Sequence, residues 1–153
     1  MFHIILFAPQ IPPNTGNIIR LSANTGAQLH LIEPLGFCLD EKSCRRAGLD
    51  YHDLARVHLH KNLDDCVQTL GAARLFAITS HGTKSLFDQK FAAGDAFLFG
   101  SETAGLPESV HASFTANQKL RLPMIADSRS LNLANAASIV VYEAWRQSGF
   151  ATA

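Results

Sequence analysis

The apolar run Ala96–Phe99 opens into a loop that holds two glycines, Gly100 and Gly105, and one carboxylate, Glu102, before Pro107. Glycines let backbone N–H and C=O groups approach a bound molecule without an intervening Cβ, so this reads as a buried strand feeding a ligand loop. Pro107 suits the first turn of a helix. A second such corner lies at Leu120–Met124 and is closed by Ser130, Leu131 and Asn132. A third candidate, Asn14–Arg20, follows the first apolar run, where open α/β sheets place binding loops. Amides, hydroxyls, one carboxylate and a guanidinium are the groups that hold and orient a small polar molecule. Each also has a plainer use: Asn14 as a helix cap with Arg20 solvated, Glu102 at a helix N-terminus, Ser130 as an N-cap. No dinucleotide fingerprint or P-loop is present. His58 and His60 share a face of an expected strand, but without a third ligand they read as surface or interface histidines, and no metal is assigned. Lys42, Arg45 and Arg46 fall at i, i+3 and i+4, a basic ridge suited to phosphates or simply a solvated helix face.

The elements that must position these groups follow from hydrophobic spacing. Residues 2–8 form a strand, and Pro12 and Pro13 open a helix that stops at Gly26. Leu29–Ile32 forms a second strand. Asp40 caps a short helix, Glu41 to Ala47, stopped by Gly48. Further strands are expected at Arg56–His60, Leu75–Thr79, Ala96–Phe99 and Lys119–Leu122, with Leu63–Leu70 as a crossover helix. A long C-terminal helix started by Ser130 runs from Leu131 to Gln147, with Leu133, Ala137, Val140, Val141 and Ala144 on one side. Strands alternating with helices imply a mostly parallel sheet covered by helices.

With 153 residues, 47% hydrophobic and 17% charged, the chain fits one domain, 1–153, with a sizeable core. Thirteen basic residues balance thirteen acidic ones, so any site for a polyanion must be local. Cys38, Cys44 and Cys66 include no Cys-x-x-Cys pair, which argues against a disulfide framework and a structural zinc site. The N-terminus lacks a basic signal region, and no apolar run nears the roughly 18 residues a membrane helix needs. A cytoplasmic protein without a membrane partner is expected.

In order and spacing, Asn14–Arg20, Phe99–Pro107 and Leu122–Asn132 resemble the three motifs of the SPOUT RNA methyltransferases. Leu31–Phe37, Arg45–His52 and Val141–Gln147 look like the small single-domain branch that 2′-O-methylates the wobble nucleotide of tRNA, and the resemblance runs through about residue 150. It implies an α/β fold whose C-terminal third forms a deep trefoil knot, a rare exception to the rule against threading. It also implies a homodimer that binds S-adenosylmethionine, with no metal, and acts on the tRNA anticodon stem-loop. The target would be cytidine or modified uridine at position 34, in leucine tRNAs. By motif position, Ile78, Gly100, Leu122 and Ser130 would line the cofactor pocket. Arg20 would hold a flanking phosphate and polarise the 2′-oxygen, since a guanidinium is a poor base, and a neighbour or water would take the proton. Asn14, Glu102, Ser130 and Asn132 would shape the site, and Lys42, Arg45, Arg46 and Arg129 would grip RNA. Two departures stand out: Ser101 replaces a common Pro, and Ala126–Arg129 replaces a glycine-bearing loop. Another RNA ribose as target, or a non-catalytic RNA-binding module, are the alternatives.

Overall fold

Seven strands form one sheet: β1 (His3–Phe7), β2 (Gln28–Ile32), β3 (Val57–His60), β4 (Leu75–Ile78), β5 (Lys84–Ser85), β6 (Ala96–Phe99) and β7 (Lys119–Arg121). The computed structural model describes residues 1–46 and 48–151, with Tyr51 described by its backbone alone. The strand order is β3-β2-β1-β6-β4-β7-β5, and every strand pairing is parallel. Helices α1 (Pro12–Thr25), α2 (Glu41–Arg46), α3 (Tyr51–Leu54), α4 (Leu63–Leu70), α5 (Glu108–Ala112) and α6 (Leu133–Gln147) connect and cover it. This single α/β domain matches the fold class expected.

Alternation along the strands divides the core in two. Ile4, Leu6, Leu29, Leu31 and Phe97 face one layer, where they meet Ile18 and Ile19 of α1 and Ala137, Val140 and Val141 of α6. Ile5, Ile32, Ala77 and Leu98 face the other, with Cys66 of α4, Leu106 and Phe114. A side-chain period of two on a sheet covered on both sides produces this split.

Local signals set the helix ends. Pro12 and Pro13 occupy the first turn of α1, where a missing N–H costs nothing. Gly26 (φ +78°) closes the helix in the left-handed region and donates its N–H to Ser22 O. Asp40 Oδ1 accepts the Ser43 N–H at 2.6 Å, as expected of the α2 cap, and Gly48 (φ +72°) follows. The Ala47 end of that helix lies outside the described residues.

Three expectations need correction. The cap of α6 is Asn132, whose Oδ1 accepts from Ala134 N and Asn135 N at 2.9 and 3.3 Å; Ser130 lies two residues outside, exposed. The amide oxygen reaches both orphan donors, so the helix starts at Leu133 instead of Leu131. Pro107 precedes α5 instead of opening its first turn. The strand β5 was not foreseen, because Lys84 and Ser85 form no apolar run and pair only along β7.

Candidate functional site

Strands β1 and β6 are neighbours, with Leu6 opposite Phe99, so the loops leaving their carboxyl ends lie side by side. Glu102, in the loop after β6, therefore reaches the start of α1 across more than ninety residues of sequence. Its Oε2 accepts the Gln10 N–H at 2.8 Å, and its Oε1 accepts the Ile11 N–H at 3.1 Å and Asn14 Nδ2 at 3.2 Å. The N-terminus of α1 carries no side-chain cap of its own; Glu102 does that work from another loop. Burial raises the Glu102 carboxyl, but these hydrogen bonds outweigh it and hold the group below the usual carboxylate range.

The network continues into the third segment. Asn132 Nδ2 donates to Asn14 Oδ1 at 2.8 Å while its own Oδ1 caps α6. Asn14 is 6% exposed, so its amide is satisfied on both sides by protein. A directed chain thus runs from the first turn of α6 through Asn132 and Asn14 to the Glu102 carboxylate, joining all three motif segments. Each amide is oriented by its partners, which fixes the O and N positions.

Beside this chain lies a cavity of about 580 Å³ at the carboxyl ends of β4, β6 and β7, the edge where open α/β sheets take ligands and a volume suited to a drug-sized molecule. Ile78, Gly100, Leu122 and Ser130 line it, and so do Asn14, Glu102 and Asn132. Phe99, Leu106 and Ala136 add apolar wall, and Thr79, Ser80 and Ser101 add hydroxyls. Gly100 is required by close approach: a Cβ there would lie 2.3 Å from the Gly105 carbonyl carbon and 2.4 Å from Leu106 N. The loop doubles back through the Ser101–Gly105 bridge. Apolar walls for a purine, one carboxylate and one guanidinium, Arg121, are a donor set that fits the adenosyl group, sulfonium and carboxylate of S-adenosylmethionine.

Of Arg20, Arg121 and Arg129, which the sequence could join only through the fold, Arg121 alone lines the cavity, and sequence reasoning passed over two further lining residues, His81 and His111. The two histidine rings stack with centroids 4.9 Å apart, and the buried His111 Nδ1 has no partner among the described residues. Burial, then His81, lowers the His111 pKa. Lone histidines thirty residues apart carry no local pattern that could reveal this.

The remaining candidates lie elsewhere. Arg20 is exposed and outside the cavity lining; its Nη2 donates to Gly48 O, tying α1 to the turn after α2. Lys42, Arg45 and Arg46 are exposed on α2, and Arg45 pairs with Glu41 at 2.6 Å, which takes part of the ridge's charge. Arg129 is exposed in the loop before α6. Contrary to the surface reading, His60 is buried: its Nε2 lies 2.9 Å from His30 Nδ1. Burial, then neighbouring His3, His58 and His60, push His30 down to about 3, and burial pushes the nearby Cys66 thiol up to about 12.

Residues 1–142 match the SpoU rRNA Methylase family. The tRNA (cytidine(34)-2′-O)-methyltransferase of Methylovorus glucosotrophus is 52% identical over 153 residues, covering 100% of this chain and 99% of the relative. A structure solved for insight into the 2-OH methylation of C/U34 on tRNA superimposes with a TM-score of 0.89 at 44% identity, covering 97% of each chain. The SpoU methyltransferase AviRb from Streptomyces viridochromogenes, in complex with the cofactor AdoMet, superimposes with a TM-score of 0.81 at 27% identity, over 95% of this chain and 57% of that one. Sequence and fold thus agree along nearly the whole length, and the chain belongs to the SpoU rRNA Methylase family.

Proposed function

We propose that this chain is an S-adenosylmethionine-dependent RNA methyltransferase that modifies the ribose 2′-hydroxyl of nucleotide 34 of tRNA. The observation that carries the reading is the convergence of Asn14, Glu102 and Asn132 on one hydrogen-bonded chain beside the cavity. Full-length similarity to tRNA (cytidine(34)-2′-O)-methyltransferases supports the substrate, and the AdoMet-bound relative supports the cofactor.

S-adenosylmethionine supplies an electrophilic methyl carbon on a cationic sulfur. The chain's part is binding and orientation, which for an in-line displacement supplies much of the barrier reduction. Ile78, Phe99, Gly100 and Leu122 would hold the adenosyl group, with Ser130 at the rim. Glu102, kept ionised by its donors, fixes the loop and adds a negative charge to a cavity that must accept a cation. Arg20 would grip the phosphate beside the target ribose and polarise the 2′-oxygen. Its anchoring by Gly48 O leaves other guanidinium N–H groups to donate, and a neighbour or water would take the proton.

The finer architecture belongs to the same reading: one domain over 1–153, a C-terminal trefoil knot, a homodimer and a cytoplasmic location. Knotting is supported by β7, which sits between β4 and β5, two strands joined by only residues 79–83, and by Gly82, where a Cβ would lie 2.8 Å from Lys119 O. A homodimer is supported by exposed apolar groups on α6 and the loop before it, Ile125 (85% exposed), Leu131, Ile139 and Tyr142. Arg20 stands outside the cavity of its own chain, and a second chain could bring that side chain to a site. Lys42, Arg45, Arg46 and Arg129 would hold the anticodon stem-loop, with leucine tRNAs as the expected substrates.

The test is incubation with S-adenosylmethionine and tRNA lacking the modification, followed by mapping of ribose methylation. Methylation at nucleotide 34 is expected; methylation confined to another ribose, or none with any tRNA source, overturns the assignment. Arg20→Ala should abolish transfer at unchanged melting temperature, and Arg20→Lys should restore little, because a point charge does not reproduce a bidentate grip. Retained activity in Arg20→Ala rejects the role given to this residue.

A further inference from the structure

Toward the β3 edge of the sheet, away from the strands β4, β6 and β7 whose ends line the cavity, three strands and a helix bring nitrogen and sulfur ligands together. His3 of β1, His30 of β2 and His60 of β3 point to the same face, by the parallel register that sets Ile5 opposite His30 and Ile32 opposite His60. Cys66, on the second turn of α4, comes down over them. One ligand atom from each of His30, His60 and Cys66 lies within 4.8 Å of the other two, and all three residues are buried. The thiol has no hydrogen-bond partner among the described residues, which leaves its sulfur available as a ligand.

We propose that His30, His60 and Cys66 form a structural site for one zinc-class divalent transition-metal ion. Thiolate and imidazole together select zinc and its softer neighbours over magnesium or calcium. Two nitrogens each about 2.0–2.1 Å from zinc at a tetrahedral angle stand roughly 3.3 Å apart, and His30 Nδ1 and His60 Nε2 already face each other at 2.9 Å. To admit the ion the two nitrogens open by a few tenths of an ångström, the rings turn toward a shared point, and the sulfur closes in from its place within 4.8 Å of both. The outer ring nitrogens have partners: His30 Nε2 lies 3.0 Å from His3 Nδ1, and His60 Nδ1 lies 3.8 Å from Asp65 Oδ2. Such partners orient metal-binding imidazoles. On binding, the proton shared between the two rings moves to an outer nitrogen of one of them, and the Cys66 proton leaves to solvent. A water completes four-coordination. The ion would staple the edge strand β3 and α4 to β2, far from the methyl-transfer site, so its effect is on stability.

The experiment uses the full chain, stripped with chelator and kept reduced, titrated first with Co²⁺ and then with Zn²⁺. Expected are one equivalent of Co²⁺, a thiolate-to-cobalt charge-transfer band with visible bands of four-coordinate intensity, and their loss as Zn²⁺ displaces cobalt. The charge-transfer band should vanish in Cys66→Ala and persist in Cys38→Ser and Cys44→Ala, which removes the other thiols as its source. Zn²⁺ should raise the melting temperature of the parent chain and leave that of Cys66→Ala unchanged. His60→Gln, a polar and similarly sized variant, should weaken Zn²⁺ binding at least tenfold and serves if Cys66→Ala does not fold. No charge-transfer band, a band that survives loss of Cys66, or Zn²⁺ affinity unchanged in His60→Gln overturns the site.

Discussion

Glu102 is a carboxylate surrounded by donors, and that arrangement dictates how it responds to change. Glu102→Gln puts an amide NH₂ against one of the N–H groups of Gln10, Ile11 or Asn14. Hydrogen bonds to charged groups are worth about 1.5–3 kcal/mol, so a loss of that order in unfolding free energy is expected by denaturant titration, with weaker S-adenosylmethionine binding by calorimetry. Asn132 and Ser130 are separable by the same logic. Asn132→Ala removes the α6 cap and the donor to Asn14, costing about 1 kcal/mol for the cap alone, whereas Ser130→Ala should stay within about 0.5 kcal/mol as an exposed substitution. Equal losses for the two would restore Ser130 as the helix start. The identity of these residues was legible in the sequence; their hydrogen bonds were not, because Gln10, Asn14, Glu102 and Asn132 are neighbours only after the strand order is known.

Elements with strong local punctuation were readable: α1 between two prolines and Gly26, α2 behind Asp40, and the apolar strands β1, β2, β4 and β6. Those without it were missed. β5 has two residues and no hydrophobic pattern, and α3 is one turn long, formed where packing permits; the short α5 was signalled by Pro107 alone. Gly82 shows why the neighbourhood of β5 has its sequence, since the loop from β4 crosses the β7 backbone there. Gly82→Ala should force that crossing apart and cost about 1–3 kcal/mol, the usual penalty for overpacking, seen as a lower denaturation midpoint. Gly26→Ala offers a control, because open space surrounds that position and its cost is that of the left-handed backbone alone. A larger loss at Gly26 would contradict the crossing.

At the scale of the whole molecule, stability should depend on acid in two windows. His111 is held below the ordinary histidine value of 6.5, by burial first, so the folded chain binds fewer protons than the unfolded one once the pH drops below about 6.5. Stability then declines with falling pH, at about 1.4 kcal/mol per pH unit for each full proton. His3, His30 and His60 lean the same way, so His111→Leu should reduce this slope in thermal melts without abolishing it. Glu102, depressed below 4.5, adds a second decline as the pH falls further and its carboxylate protonates. A melting temperature flat from pH 7 to 5 would contradict the first window.

The position of β7 between β4 and β5 also bears on biosynthesis. A nascent polypeptide that has emerged only to Phe114 can lay down five strands of the sheet, yet it lacks the segment that joins β5 to the rest and every lining residue from Arg121 onward. The pocket is therefore a late product of translation, and truncated chains released before the last thirty residues should be unable to recognise the methyl donor at all.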